Sequence, residues 1–260
     1  MNLTLIALLT AAGLFLGMLL FLEMGRRIGV TRLSHNPDEG LAKGANAAEG
    51  AVFGLLGLLI AFTFSGAATR FEDRRHLITE EANAVGTAYL RIDLLPSDVQ
   101  PEVRELFRRY LDLRIDTFRK LESKENTIAQ LKETENLQKQ IWSKAIIAVK
   151  RADAPPSAAM LVLTALNQMI DITTTRLTAT QNHPPLIIFF LLTGLTFISA
   201  LLVGYSTSDN KERDWLHPVI FALIMSLSVY VIVDIEFPRL GLIRIDSADK
   251  VLIDLRKSME

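Results

Sequence analysis

GAVFGLLGLLIAFTFSGAAT, residues 50–69, runs without interruption into RFEDRR, residues 70–75. An apolar run of this length crosses the hydrocarbon core of a bilayer as an α-helix, which needs roughly 20 residues. Lipid offers no partner for a free backbone N–H or C=O, so an isolated crossing segment has to be helical. The polar continuation contains no proline, and Gly66 is the only glycine between Ala61 and Arg75. One helix is therefore expected to leave the membrane and continue into water among arginines and carboxylates.

The rest of the chain supports an all-α membrane protein. Half of the residues are hydrophobic while 22% are charged, a split that suggests separate apolar and water-exposed parts. Three further apolar runs are long enough to cross a bilayer: residues 3–22, 185–205 and 216–235. The first is expected to be a retained span rather than a signal peptide, because no basic residue precedes it and no small-residue cleavage site follows. The layout is a transmembrane hairpin at 1–69, a helical extramembrane domain at 70–183, a second hairpin at 184–237 and a tail at 238–260. The helical bundle is thus inserted between the second and third of four transmembrane helices.

Within the insert, Ile78, Ala82, Val85 and Ile92 continue the second span at helical period. Leu95 and Pro96 stop it, and Ser97 with Gln100 fits a capping box for the next helix. Val103, Phe107, Tyr110, Arg114, Phe118 and Leu121 fall on one face of that helix. A third helix near 126–151 places Ile128, Leu131, Trp142, Ala145 and Val149 on a stripe. A fourth at 157–181 does the same with Met160, Leu163, Leu166, Ile170 and Leu177. The charges of the insert nearly cancel, which reads as a solvated bundle laced with ion pairs, with Glu80 and Glu81 on a charged helix face.

In the second span, Gly50, Gly54, Gly57, Ala61, Ser65 and Ala68 recur at helical spacing and form one continuous small face. Small residues in membrane helices mark places where backbones can approach closely. Two readings stay open. The face packs against another helix or another subunit, or it lines an axis in an oligomer. On the second reading Gly54, Gly57, Leu58, Ala61, Phe62 and Ser65 line a pore, with Leu58 or Phe62 as an apolar constriction that gates by dewetting. Thr63, Ser65 and Thr69 supply polar contacts for an ion.

The fourth span ends in VIVDIEFPRLG, residues 231–241. Charged groups at a membrane edge are costly and mark a candidate site. Asp234 and Glu236 are expected to meet Arg70 or Arg74, and together with Arg75 these residues form an interfacial charge cluster. The tail offers a weak amphipathic pattern. Basic residues flanking the spans, among them Lys43, Lys211, Arg213, Arg239 and Arg244, divide evenly between the two sides. Only the Arg26–Arg27 pair leans, towards an external amino terminus.

The run from Glu49 to Ala67, the block Arg70-Phe71 with Arg74-Arg75, the stretch from Glu81 to Arg91, and the ending from Asp234 to Gly241 together resemble the bacterial bestrophin-like membrane proteins. The resemblance covers essentially the whole chain in layout, and it extends more distantly to bestrophin anion channels. It implies a homo-oligomer, with a pentamer as the first expectation, in the bacterial inner membrane. It also implies a helical domain in the cytosol and a second span lining a neck at Gly54, Leu58 and Phe62. Gly241 falls later than the bestrophin pattern places its glycine.

Function narrows accordingly to an oligomeric ion channel, with anions expected ahead of cations. The alternative is a non-conducting membrane sensor, signalling protein or scaffold whose helical domain binds a partner or ligand. No nucleophile–histidine–acid set, HExxH, phosphate-binding loop or GxGxxG occurs, so no enzyme is expected. Four dispersed histidines and no cysteine suggest neither a metal nor another cofactor. Net charge of −1 gives no field that would recruit nucleic acid. The partners expected are therefore the lipid bilayer, further copies of the chain and inorganic ions.

Overall fold

A computed structural model describes residues 3–35, 43–119, 124–209, 215–238 and 242–260. Leu121, Lys211, Arg213, Arg239 and Gly241 lie outside the described residues, as do the side chains of Lys43 and Phe118.

The described residues are predominantly helical, with no strand among them. In chain order the helices are α1 (Leu3–His35), α2 (Lys43–Leu90), α3 (Gln100–Arg119), α4 (Lys124–Val149), α5 (Ala158–Gln181), α6 (Leu186–Ser206), α7 (Leu216–Glu236) and α8 (Asp246–Lys257). A 3-10 turn, Arg91–Leu94, follows α2, and another, Thr207–Asp209, follows α6. Among the described residues four helices are long and apolar enough to cross a membrane, and these carry the four apolar runs of the sequence. Helix α2 passes from the apolar run into the charged block without interruption, as the absence of proline predicts.

The chain divides into two compact units. The first comprises Met1–Phe71 and His183–Arg244, and the second comprises Glu72–Asn182 and Ile245–Glu260.

In the first unit, α1 lies along α6 and also packs on α7. Two glycines make the close approach possible. A Cβ at Gly25 of α1 would sit 1.9 Å from the Leu201 carbonyl oxygen, and one at Gly204 of α6 would sit 1.9 Å from the Leu22 carbonyl oxygen. Gly29 is equally constrained, with Ser208 Oγ at 2.1 Å from the position of its Cβ. Dispersion between closely set backbones holds helices together where lipid removes the hydrophobic drive, and such contact needs residues without side chains. Leu14, Leu56, Ala67, Leu192, Val229 and Ile232 form one buried cluster, and Met18, Leu22, Ala200 and Ala222 form another. Phe21 stacks on Phe197 at 4.9 Å between ring centroids.

The second unit takes its core from five helices: the end of α2 (Ile78, Ala82, Val85), α3, α4, α5 and α8 (Leu252). Val103, Phe107, Tyr110 and Arg114 of α3 are all buried, as their spacing predicts. On α4 the buried stripe is Leu137, Ile141, Ala145 and Ala148, while Ile128 stands exposed. On α5 it is Val162, Ala165, Leu166 and Met169, and Met160 is 70% exposed. Ala145 and Leu166 are thus buried as expected, while the inner faces turn away from the expected Ile128 and Met160. Apolar residues surround much of α5, so hydrophobic period alone does not select its inner face.

The capping box expected at Ser97 does not form. Val99 N–H donates to the Pro96 carbonyl at 3.0 Å, closing a turn that includes Ser97. Helix α3 then begins at Gln100, whose side-chain amide donates to the Leu95 carbonyl at 2.8 Å. A serine can cap only a helix that starts directly after it, and the turn takes that position.

Candidate functional site

Leu56 and Ala67 turn one side of the apolar run of α2 into the core of the first unit. The opposite side is open. Gly54, Gly57, Leu58, Ala61, Phe62 and Ser65 are all exposed, and Phe62 reaches 67%. A Cβ added at Gly50, Gly54 or Gly57 would meet nothing within 4 Å. Among the described residues, Gly50, Gly54 and Gly57 therefore form no helix–helix seam, whereas α1 and α6 meet through their own glycines. Thr63 Oγ1 donates to the Leu59 carbonyl at 2.7 Å and Thr69 Oγ1 to the Ser65 carbonyl at 3.0 Å. Both hydroxyl hydrogens are committed to the helix backbone, which leaves oxygen lone pairs as the free polar feature of these residues.

At the carboxyl end of the run, Arg70 grips Glu236 with two nitrogens. Its Nη2 lies 2.7 Å from Oε2, and its Nε lies 3.0 Å and 3.1 Å from the two carboxylate oxygens. The side chain of Glu236 is 1% exposed. His183 Nδ1 stands 2.8 Å from Glu236 Oε1, and its ring stacks on Phe237 at 4.6 Å. A forked guanidinium–carboxylate contact of this kind fixes direction as well as distance. It fastens the end of the α2 apolar run to the end of α7.

Asp234 serves a different purpose. Its carboxylate accepts the backbone N–H groups of Leu242 (3.0 Å) and Ile243 (2.8 Å), and Tyr230 OH lies 3.4 Å away. It therefore holds the chain that follows α7 back against the helix. Arg74 and Arg75 belong to the second unit. Arg74 donates to the carbonyls of Ala179 and Asn182, each at 3.1 Å, and so satisfies acceptors left open at the carboxyl end of α5. Arg75 pairs with Glu72 at 2.8 Å on the surface. Of the five residues expected in one cluster, Arg70 and Glu236 share a contact, and the contacts described for Asp234, Arg74 and Arg75 lead elsewhere.

Glu81, expected on a charged outer face, is instead completely buried. Arg114 Nε donates to its Oε1 at 2.5 Å, and Arg176 Nη1 donates to its Oε2. Arg176 Nη2 also reaches Asp249 Oδ1 at 3.3 Å. Two cations and two anions from α2, α3, α5 and α8 thereby neutralise one another inside the second unit. Burial alone would raise the Glu81 carboxyl pKa, but the two guanidinium groups outweigh it and hold the pKa below its ordinary value. One signal of this network was present in the sequence: Arg114 occupies the apolar stripe of α3, where a charge needs a partner. Nothing local marked that partner as Glu81.

Three comparisons bear on the chain. A family model described as Bestrophin-like, for the Bestrophin-like domain, matches residues 46–249. Several solved structures share the fold. A variant of a bacterial Bestrophin homolog from Klebsiella pneumoniae is 14% identical, with 95% of this chain and 98% of that one covered and a TM-score of 0.70. The structure of that homolog obtained by zinc phasing is 13% identical, covering 93% and 98%, with a TM-score of 0.67. A structure described as a membrane protein is 13% identical, covering 94% and 98%, with a TM-score of 0.63. No curated protein sequence matches the chain.

Proposed function

The chain belongs to the Bestrophin-like family, and from that premise we propose that it is an oligomeric ion channel whose conduction path is lined by α2. The carrying observation is the open face of α2, where Gly54, Gly57, Leu58, Ala61, Phe62 and Ser65 are all exposed among the described residues. Copies arranged about an axis would bring these faces together. The glycines and alanine leave width, while rings of Leu58 and Phe62 narrow the path to an apolar neck. Such a neck passes ions when wetted and blocks them when dry, so small changes in radius switch it.

The family relationship supports the remaining assignments: a pentamer, anions ahead of cations, and the bacterial inner membrane. On this reading residues 1–69 and 184–237 form the membrane part. Residues 70–183 form a cytosolic helical domain, and 238–260 a tail. Arg70 and Glu236, with Asp234, Arg74 and Arg75 nearby in sequence, mark the membrane surface.

A second reading is a non-conducting membrane sensor or scaffold. The observation favouring it is that α2 is one helix from Lys43 to Leu90, and a continuous helix transmits rotation or tilt along its length.

Flux from liposomes containing the purified protein separates the two. The channel reading expects ion release above empty vesicles, with a chloride gradient more effective than a sodium gradient, and a change in rate for Phe62→Ala. Absence of flux across a range of pH, voltage and divalent ions would sink it. Averaged particle images of the detergent-solubilised protein test the geometry: a closed ring with α2 innermost is expected, and a dimer with α2 at a lateral contact excludes the neck.

A further inference from the structure

Between α4 and α5 of the second unit lies a recess of about 360 Å³, lined by Glu135, Gln138, Lys139, Trp142, Asn167 and Ile170 among others. That volume falls at the lower end of the range for small-molecule sites. Gln138 is only 7% exposed, and its hydrogen bonds determine which way its amide points. Thr173 Oγ1 donates its single hydrogen to the Ile170 carbonyl at 2.6 Å, so towards Gln138 it can only accept. Gln138 Nε2 supplies that bond at 3.1 Å, and Tyr110 OH lies 3.5 Å from the same nitrogen. The orientation assigned from this network leaves Oε1 as the free acceptor of Gln138, a residue of the recess lining.

The remaining lining divides by chemistry. Trp142 and Ile170 supply apolar surface, and Asn167 supplies a second amide. Lys139 Nζ and Glu135 Oε1 lie 2.6 Å apart, on side chains that are both largely exposed. The recess therefore has no net charge but displays one charge of each sign beside an apolar wall. A lone anion can engage only Lys139, and a lone cation only Glu135. A ligand bearing both charges compensates both.

We propose that this recess binds a free zwitterionic α-amino acid with an apolar side chain. The side chain lies against Trp142 and Ile170. The carboxylate pairs with Lys139, and the ammonium group donates to Glu135 and to Gln138 Oε1. The site does not depend on ion conduction, and it would give the second unit a ligand whether or not the membrane part passes ions.

Trp142 provides the readout. The full chain carries two tryptophans, so Trp215→Phe leaves Trp142 as the only one. Purified in detergent, this protein is titrated with L-leucine, with L-leucinamide, which lacks the carboxylate, and with 4-methylpentanoate, which lacks the ammonium. A saturable change in emission is expected with L-leucine, about tenfold tighter than with either analogue. Gln138→Leu should abolish it. Lys139→Ala, on an exposed side chain, leaves the fold intact and should weaken L-leucine to the level of L-leucinamide. Equal binding of either analogue, an unchanged response in Lys139→Ala, or no saturable change up to about 10 mM L-leucine and L-phenylalanine overturns the proposal.

Discussion

Arg114 Nε lies 2.5 Å from Glu81 Oε1, and neither side chain is more than 2% exposed. The pair joins residues 33 positions apart, and Arg176 and Asp249 complete it into a neutral set of four. Attraction in a medium of low polarity offsets the cost of taking these charges out of water only while every partner is present.

Removing one partner should therefore be far worse than removing the charge altogether. Glu81→Gln leaves Arg114 and Arg176 without their shared carboxylate and should cost about 3–5 kcal/mol. Replacing Glu81 and Arg114 together by residues of similar volume, Glu81→Met with Arg114→Met, should recover part of that loss. Thermal unfolding of the single and double variants measures the difference. Equal stability of Glu81→Gln and the parent protein would contradict the ion network.

The same residue sets a pH dependence. With its folded pKa below the ordinary value, Glu81 contributes stability that is fully present above the unfolded pKa of about 4.3 and is lost as pH falls through the folded pKa. The melting temperature should accordingly hold steady near neutral pH and fall in acid below about pH 4. Glu81→Gln, already uncharged at this position, should show a shallower fall. Parallel curves for the two proteins would assign acid sensitivity to other carboxylates.

Glycines in the first unit should sort into two groups. Gly204→Ala places a Cβ 1.9 Å from the Leu22 carbonyl oxygen, so α1 and α6 have to separate, at a cost of at least about 1–3 kcal/mol. Gly57→Ala meets nothing within 4 Å and should leave the melting temperature of the isolated chain nearly unchanged, while altering ion flux if the face lines a pore. Unfolding curves in detergent compare them directly. A Gly57→Ala variant as unstable as Gly204→Ala would mean that α2 is tightly packed at this point.

Asp234 tethers the chain after α7, and Asp234→Ala removes the acceptor for the amides of Leu242 and Ile243. The lost bonds should cost about 1–3 kcal/mol, concentrated in the segment just beyond them. Arg244 is an exposed tryptic site in that segment. Limited trypsin digestion should cut there faster in Asp234→Ala than in the parent protein, and an unchanged cleavage rate would discount the tether.

Much of the architecture is legible in the sequence, for reasons that differ from element to element. The four apolar runs announce themselves because a bilayer demands about 20 residues of helix from any segment that crosses it alone. The continuity of α2 follows from what residues 61–75 lack, since no proline interrupts its hydrogen-bond ladder. The buried stripe of α3 was readable because charged residues border it sharply. On α4 and α5 the border is blurred, and only packing against neighbours selects Leu137 over Ile128 and Met169 over Met160.

The candidate site divides in the same way. Sequence by itself placed Gly54, Gly57, Ala61 and Ser65 on one helical face, because helical geometry is local. It also set Arg70 and Glu236 at the ends of apolar runs. Whether small residues meet another backbone is not local, and the tertiary structure gave that role to Gly25 and Gly204 while leaving the α2 face open. Nor is the fate of a charge local. Glu81 looked like any carboxylate on a solvated helix, and only the convergence of Arg114 and Arg176 from distant helices makes its burial possible, because a buried charge persists only where opposite charges and hydrogen bonds surround it.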